Sequence, residues 1–391
     1  MPRKSSSKSP DLKTTGRNVG TGKAITLTKT HPAQLSLFQT FLPDDRQSGE
    51  YSNTIELYDA IPKYFSSSKR MAELRKADIY LPVLRHDFEH NKKWYTVEIT
   101  PARLIDKDGN EKEYYPTQRE ELVEEALKKL ALERQNGVYL DNEAGVQFSL
   151  YGLRQELHRH GHSMNYPDLV TALNICHGAG LTVRSKDDWE VYLKSPVFPI
   201  LVLARRRDWE QDSQNTRCYV QFNPLVTRSI NKLTYRQFHY LAFMHIKNQL
   251  ARYLFKRLSH NYTQASWDEP YRILLSTIVR DSALVNNSRI RDRVRHVDSA
   301  LDELMGKDSE ESHSYVLMNY EKTVYRGPRN KIEDVLYTLI PSYEFSSQMK
   351  KANKRGQHVR YQAVQTGILS PTEPTERNRV LSHASRFPTT Q

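Results

Sequence analysis

The segment Tyr271–Leu304 has the clearest alternation of apolar and polar positions in this 391-residue chain. Its pattern predicts two helices, over Tyr271–Arg280 and Ser288–Met305, joined by a polar turn whose Asn and Ser side chains at 286–288 can cap the second helix. In that second helix the apolar positions recur at spacings of four, three, four and three, at Ile290, Val294, Val297, Leu301 and Leu304. This spacing predicts one core-facing stripe.

The other faces of the second predicted helix separate charge along its length. Acidic residues lie towards its end, at Asp298, Asp302 and Glu303. Basic side chains crowd its start, at Arg289, Arg291, Arg293, Arg295 and His296. A helix that packs by an apolar stripe and projects guanidinium groups from its first half has the features of a recognition helix in a DNA major groove. The alternative is a solvated, salt-bridged helix face.

A similar order of elements precedes this segment. Ser149–His160 reads as a helix, and Asn165 is placed to cap a second helix over Tyr166–His177. The strands that follow are predicted at Leu181–Arg184, Val197–Ala204 and Cys218–Phe222, as a hairpin around Arg205, Arg206 and Arg207. Helix, turn, helix and a two-stranded wing with a basic tip are typical of a winged helix.

The second copy of this pattern is predicted to begin with a long helix over Tyr235–Ser259 and to end with a wing built from Tyr315–Tyr320, Lys322–Tyr325 and Val335–Pro341. We therefore predict an α+β fold with two tandem winged-helix domains and disordered basic tails. The predicted division is a disordered basic arm (1–33), a binding peptide and linker (34–50), winged-helix domain 1 (51–225), winged-helix domain 2 (226–345) and a disordered basic tail (346–391).

The net charge of +12 is located in the predicted tails. Of the 58 basic and 46 acidic residues, 1–33 and 346–391 together hold 15 and 3, so the body 34–345 carries 43 of each. Because the body is formally neutral, it can bind DNA only if its basic residues are concentrated on one face. No apolar run approaches the roughly 20 residues of a membrane span, and two cysteines favour a reducing compartment, so a cytoplasmic protein is expected.

A short peptide follows the basic arm. It reads Gln34, Leu35, Ser36, Leu37 and Phe38. A Gln amide that fixes register and a Leu-Phe pair that fills an apolar pocket suit a docking peptide. QLSLF resembles the consensus peptide by which bacterial replication proteins bind the DNA polymerase sliding clamp. The alternative is an amphipathic turn that packs Leu35, Phe38 and Phe41 on the chain's own first domain.

With both units considered, the chain resembles theta-type plasmid replication initiators of the RepA and TrfA kind. The likeness rests on the order of elements across about 51–345, on FNPLVTRSINKLTYRQF (Phe222–Phe238) and LARYLFKRLSHNY (Leu250–Tyr262), and on QLSLF. It implies sequence-specific binding to repeated double-stranded origin sites (iterons), origin opening, and recruitment of the replicative helicase, host initiator and sliding clamp. It also implies a monomer–dimer equilibrium that limits plasmid copy number.

Recognition-helix roles carry over from this resemblance to two sets of residues. In the second unit they are Arg289, Arg291, Arg293, Arg295 and His296; in the first they are Asn165, Asp168, Thr171 and Asn174. The predicted first-unit helix holds no Arg or Lys, which departs from the pattern. We therefore expect that unit to form a dimer face or to hold phosphates through Arg154, Arg159 and Arg205–Arg207.

Catalysis is not expected. The run His158, His160 and His162 could suggest a metal-dependent nicking relaxase, but it ends a helix, where these side chains diverge and have no carboxylate cluster beside them. Solvated or phosphate-contacting histidines are the favoured interpretation, without metal or cofactor. A winged-helix transcriptional repressor is the alternative function, and the relaxase is a more distant one.

Overall fold

The computed structural model describes residues 50–77, 80–105, 108–133, 136–204, 217–306 and 316–369. These residues form helices and antiparallel sheets, which confirms the predicted mixture of α and β structure. Within them, no helix is long and apolar enough to cross a membrane.

The strands are β1 (Tyr51–Ile55), β2 (Leu84–His90), β3 (Lys93–Thr100), β4 (Ala102–Ile105), β5 (Glu111–Tyr114), β6 (Gly137–Leu140), β7 (Glu143–Phe148), β8 (Gly180–Ser185), β9 (Val191–Lys194), β10 (Ile200–Val202), β11 (Cys218–Gln221), β12 (Tyr235–His239), β13 (Tyr271–Leu274), β14 (Leu317–Arg326) and β15 (Ile332–Pro341). The helices are α1 (Glu56–Ala60), α2 (Ser68–Ala77), α3 (Gln118–Leu132), α4 (Leu150–Arg159), α5 (Tyr166–Gly178), α6 (Pro224–Lys232), α7 (Tyr240–His245), α8 (Gln249–Asn261), α9 (Leu275–Ser282), α10 (Ile290–Leu304) and α11 (Tyr343–Gln365).

Two units of the chain share one order of elements. The first runs α3, β7, α4, α5, β10, β11, and the second runs α8, β13, α9, α10, β14, β15. In both, the last strand pairs antiparallel with the other two and lies between them, as β10-β11-β7 and β13-β15-β14. Helix, strand, two helices and a hairpin in this strand order define a winged helix, so the chain holds two of them.

The first unit carries additions that the sequence pattern did not separate from its wing. The predicted strand Leu181–Arg184 is not part of the wing, because β8 pairs with β3 and β9 in a separate sheet of order β2-β3-β8-β9. The hairpin β4–β5 packs against α5 through Ala102, which lies in a small apolar cluster with Ile175 and Ala179. The first wing itself is the β10–β11 hairpin.

Charged side chains are buried where the two units meet. Arg252 of α8 donates to Glu121 of α3, and Lys256 of α8 lies 2.6 Å from Glu125 of α3. Lys128 of α3 lies 3.1 Å from Asp59 in α1. Separating any of these partners would leave a buried charge unpaired, so the network favours one relative placement of the two units.

The predicted helix over Tyr235–Ser259 is wrong at its beginning. Residues 235–239 form strand β12, which pairs antiparallel with β1, and the chain then forms two helices, α7 and α8. Asn248 divides the helices by accepting a hydrogen bond from the Leu250 backbone. The predicted boundary between residues 225 and 226 falls inside α6.

Two further predictions about the second unit need correction. Residues 271–274 form strand β13 rather than the first turn of a helix, because they pair with β15. The predicted disordered tail is wrong from its first residue to Gln365, because α11 occupies Tyr343–Gln365. Phe345, Met349, Val359 and Ala363 bury one face of that helix. Residues 370–391 lie outside the described part.

Candidate nucleic-acid interface

The strongest candidate surface is built on α10, which forms where the sequence predicts a helix. Its predicted stripe faces the protein: Val297, Leu301 and Leu304 are buried, and Ile290 and Val294 are partly buried against the core. The predicted caps at 286–288 are wrong, because Arg289 occupies the N-cap position and no side chain caps the helix. Packing of the stripe therefore positions this helix.

α10 lies antiparallel to the wing strand β14. Asp302 accepts a hydrogen bond from Tyr320 at 3.4 Å, and one turn earlier Asp298 lies 2.8 Å from Lys322. Four residues of helix rise about 6 Å and two residues of strand about 7 Å, so the two elements stay in step. At 100° per residue Arg295 and Arg291 continue the row of Asp298 and Asp302, which places them towards the wing tip.

The acidic half of α10 is occupied by contacts within the protein. Besides Lys322, Asp298 accepts a hydrogen bond from the Tyr337 hydroxyl at 3.3 Å. Burial and the nearby Asp298 raise the pKa of Tyr337, and burial and the same carboxylate raise the pKa of Tyr320 to about 12, so both phenols stay protonated donors at neutral pH. Glu303 accepts the backbone N–H groups of Lys247 and Asn248 at the start of α8.

The basic half of α10 is largely open to solvent. Arg289 and Arg291 are exposed, and neither forms an ion pair with any residue in the described ranges. Arg295 is 81% exposed at its side chain and lies 3.4 Å from Asp292. Arg293 differs, because its Nε donates to the Asn287 carbonyl at 2.6 Å and so fixes the turn before the helix. Burial lowers the pKa of the half-buried His296.

The second wing adds cations that the sequence reading did not assign. Arg326, Arg329 and Lys331 are exposed around the β14–β15 turn, and Arg329 has a left-handed φ of 58°. The basic turn YRGPRNK between two alternating strands was the available signal. Together with Arg289, Arg291 and Arg295 these residues form what we call the basic surface. Its cations can bind phosphates, and its guanidinium groups have the donors that recognise guanine edges.

The corresponding helix of the first unit presents a different surface. Asn165 caps α5 as predicted by accepting from the Asp168 backbone at 2.8 Å. The Thr171 hydroxyl donates to the Pro167 carbonyl, and the Asn174 amide donates to the Val170 carbonyl. These donors satisfy the helix's own backbone, and Asp168 would repel phosphates. α5 therefore presents no cation to phosphates, and the role of its polar residues in reading bases stays a prediction.

The other basic residues that the sequence predicts as phosphate contacts in the first unit do not form one surface in the described residues. Arg154 donates to the Met164 carbonyl and lies over the Tyr166 ring, so it braces the turn between α4 and α5. Arg159 is 69% exposed at its side chain and lies 3.2 Å from Glu156. Arg205, Arg206 and Arg207 lie outside the described residues, as do the five residues of the peptide at 34–38.

The three histidines of the run at 158–162 have different surroundings, and the predicted solvated state holds only for the first. His158 is exposed, whereas His160 lies 3.2 Å from Glu156 and the Nε2 of His162 lies 2.7 Å from the Met244 carbonyl. Burial lowers the pKa of His162 despite that contact. Across the described ranges no group of three or more His, Cys, Asp or Glu residues could hold a metal ion.

No family model and no curated protein matches the chain. Its fold is similar to that of several solved structures. Two crystal structures of domains 2 and 3 of RctB align with TM-scores of 0.38 and 0.35, at 13% and 14% identity. They cover 67% and 68% of this chain, and 92% and 94% of theirs. The Pi initiator protein in complex with iteron DNA aligns with a TM-score of 0.38 at 10% identity, over 57% of this chain and 91% of its own.

Fold and surface together define a class: a tandem winged-helix protein in which, of the two described units, the second carries an arginine-rich helix before its wing and the corresponding helix of the first carries no Arg or Lys.

Proposed function

We propose that this protein is a replication initiator without catalytic activity of its own, which recognises repeated double-stranded origin sites through the basic surface. The observation that carries the proposal is the separation of charge along α10. The acids of its second half, Asp298, Asp302 and Glu303, contact β14, β15 and the start of α8, while Arg289 and Arg291 remain exposed beside a basic wing tip. Such a helix can enter a major groove while the wing contacts the adjacent backbone.

The two units would divide the work. The second reads bases through Arg289, Arg291 and Arg295. The first contributes Arg205, Arg206 and Arg207, which the sequence predicts at the tip of its wing, and a surface for self-association. The buried pair of Arg252 and Glu121 supports a fixed geometry between the units, which suits sites of fixed spacing. The initiator would open the origin and act in the bacterial cytoplasm, bound to plasmid DNA.

The test begins with a footprint of the full-length protein on the DNA that flanks its own coding sequence, at two salt concentrations. Protection repeated at one or two helical turns and retained at the higher salt is the result expected for iteron recognition. One operator-like footprint would favour a transcriptional repressor instead. Protection that is diffuse and lost with salt would overturn specific binding.

Variants then test the site. Arg289→Ala and Arg291→Ala should each weaken binding to the footprinted repeat by about 1–3 kcal/mol per lost base contact and weaken binding to random DNA much less. Arg70→Ala is the matched control, because Arg70 is an exposed arginine on α2, with a side chain 60% exposed. Unchanged specificity in both α10 variants would show that this surface does not read bases.

Recruitment of the sliding clamp is a separate part of the proposal. It is supported by the match of Gln34–Phe38 to the clamp-binding consensus. A peptide of residues 30–44 should bind the purified clamp, and Leu37→Ala with Phe38→Ala should abolish that binding in the full chain. If the peptide does not bind and the double variant replicates its plasmid normally, recruitment through this peptide is excluded.

A further inference from the structure

The exposed face of α11 carries a row of positive charge separate from the basic surface. Lys350, Lys351, Lys354 and His358 are exposed, and Tyr361 exposes 64% of its surface. At 100° per residue these five positions fall on one side of the helix, spread over about 100°. They face away from the residues that bury the helix.

The opposite face fixes α11 to the protein near both of its ends. The Phe345 ring lies 6.3 Å from the ring of Phe255 and 6.4 Å from that of Tyr262, between centroids. About four turns later Val359 and Ala363 pack with Leu233. A helix held in this way presents its cations on a rigid support, so little conformational entropy is lost when they bind.

The acidic residue of this helix is Glu344, in its first turn. Residues 345–369 contain five Lys and Arg residues and no Asp or Glu. Lys350 and Lys354 lie one turn apart and repel each other, which destabilises the helix. None of Lys350, Lys351 and Lys354 forms an ion pair with a described residue. A polyanion would remove this repulsion, whereas an ordinary solvated face mixes both signs of charge.

We propose that the exposed face of α11 binds the phosphate backbone of duplex DNA as a second, sequence-independent contact. This inference rests on the proposed DNA-binding function. The ten residues of β15 separate the wing tip from the start of α11 by about 33 Å, close to one helical turn of DNA. α11 therefore contacts a different part of the duplex from the part that lies against α10 and the wing.

The experiment compares two triple variants of the full chain. Lys350→Gln/Lys351→Gln/Lys354→Gln removes three charges from α11, and Lys69→Gln/Arg70→Gln/Lys76→Gln removes three exposed charges from α2. Binding to a random-sequence duplex several helical turns long is measured by fluorescence anisotropy over a range of salt. The α11 variant should flatten the plot of log affinity against log salt by about 0.9 for each lysine that contacts a phosphate, about 2.7 in all. The α2 variant should keep the wild-type slope, and circular dichroism checks that both retain their helices.

Two further measurements distinguish a sequence-independent contact by α11 from a contribution to base recognition at α10. The α11 variant should keep the wild-type ratio of specific to random affinity, because phosphate contacts carry no base information. It should also bind normally to a duplex of about one helical turn that spans only the α10 site.

If the α11 and α2 triple variants flatten the plot of log affinity against log salt equally, the loss reflects the net charge of the protein, and the proposal for α11 is overturned. The same conclusion follows if Arg291→Ala loses specificity while the α11 variant keeps the wild-type slope, and in that case the proposed function stands. Absence of DNA binding by the wild-type chain would overturn both.

Discussion

Arg252 and Glu121 form an ion pair that joins the first helices of the two winged-helix units. Arg252 Nη2 lies 3.1 Å from Glu121 Oε2, and the arginine side chain is fully buried. The same guanidinium donates to the carbonyls of Ile246 and Lys247, so it has partners on both sides of the contact between the units.

Arg252→Met should lower the free energy of unfolding by about 3–5 kcal/mol, because Glu121 and two carbonyls lose their donor inside the protein. Urea unfolding at pH 7 measures the change. Arg70→Met on exposed α2 is the control and should change stability by less than about 0.5 kcal/mol. Similar effects of the two substitutions would show that the buried pair does not stabilise the contact.

Asp298 and Lys322 should respond unequally to truncation. Lys322→Ala removes an ion pair whose lysine is 38% exposed, so it should cost less than about 1 kcal/mol. Asp298→Ala also removes the acceptor of the buried Tyr337 hydroxyl, so it should cost about 1–3 kcal/mol. Tyr337→Phe in the Asp298→Ala background should recover part of that loss in urea unfolding. A larger cost for Lys322→Ala would contradict this order.

His162 should make stability fall at mildly acidic pH. Burial lowers its pKa in the folded protein below the value of about 6.5 expected in the unfolded chain. The unfolded chain therefore binds the proton more readily, and stability that is complete above about pH 6.5 declines as pH falls towards the folded pKa. His162→Gln should flatten the decline measured by urea unfolding between about pH 7.5 and pH 5.

The decline should not disappear in that variant, because burial also lowers the pKa of His90 and His296. His358→Gln is the control for the substitution itself, since His358 is exposed on α11. A wild-type profile in His162→Gln would exclude this histidine as a source of the pH dependence.

Gly356→Ala should stabilise α11. Gly356 lies inside the helix, and a Cβ added there would meet no atom within 4 Å. Alanine is favoured over glycine in a helix interior by about 1 kcal/mol, so hydrogen exchange of the α11 amides should slow by up to about fivefold. Gly161→Ala is the contrasting variant: its site is equally open, but φ of +79° makes alanine strained and the substitution destabilising. Faster exchange in Gly356→Ala would contradict the prediction.

Local patterns predicted the helices that carry strong periodicity. α10 and α5 form where their apolar spacing and, for α5, the Asn165 cap indicate. The pattern failed at Tyr235–His239, because β1, which is about 180 residues earlier in the chain, pairs with this segment and overrides its helical appearance. α11 was missed because its apolar positions are few and Gly356 interrupts them, so the stripe from Phe345 to Ala363 reads as polar tail.

At the candidate site too, some features follow from the local sequence and others depend on distant contacts. The sequence by itself determined that the helix at 290–304 carries arginines at its start and acids at its end, because both sets lie within one short periodic segment. Only the tertiary structure decided which of those charges remain available. Lys322, Tyr337 and the start of α8 satisfy the acids, and the β14–β15 hairpin brings its basic turn to the arginine end. Such neutralisation depends on partners distant in sequence, whose positions strand pairing and core packing fix.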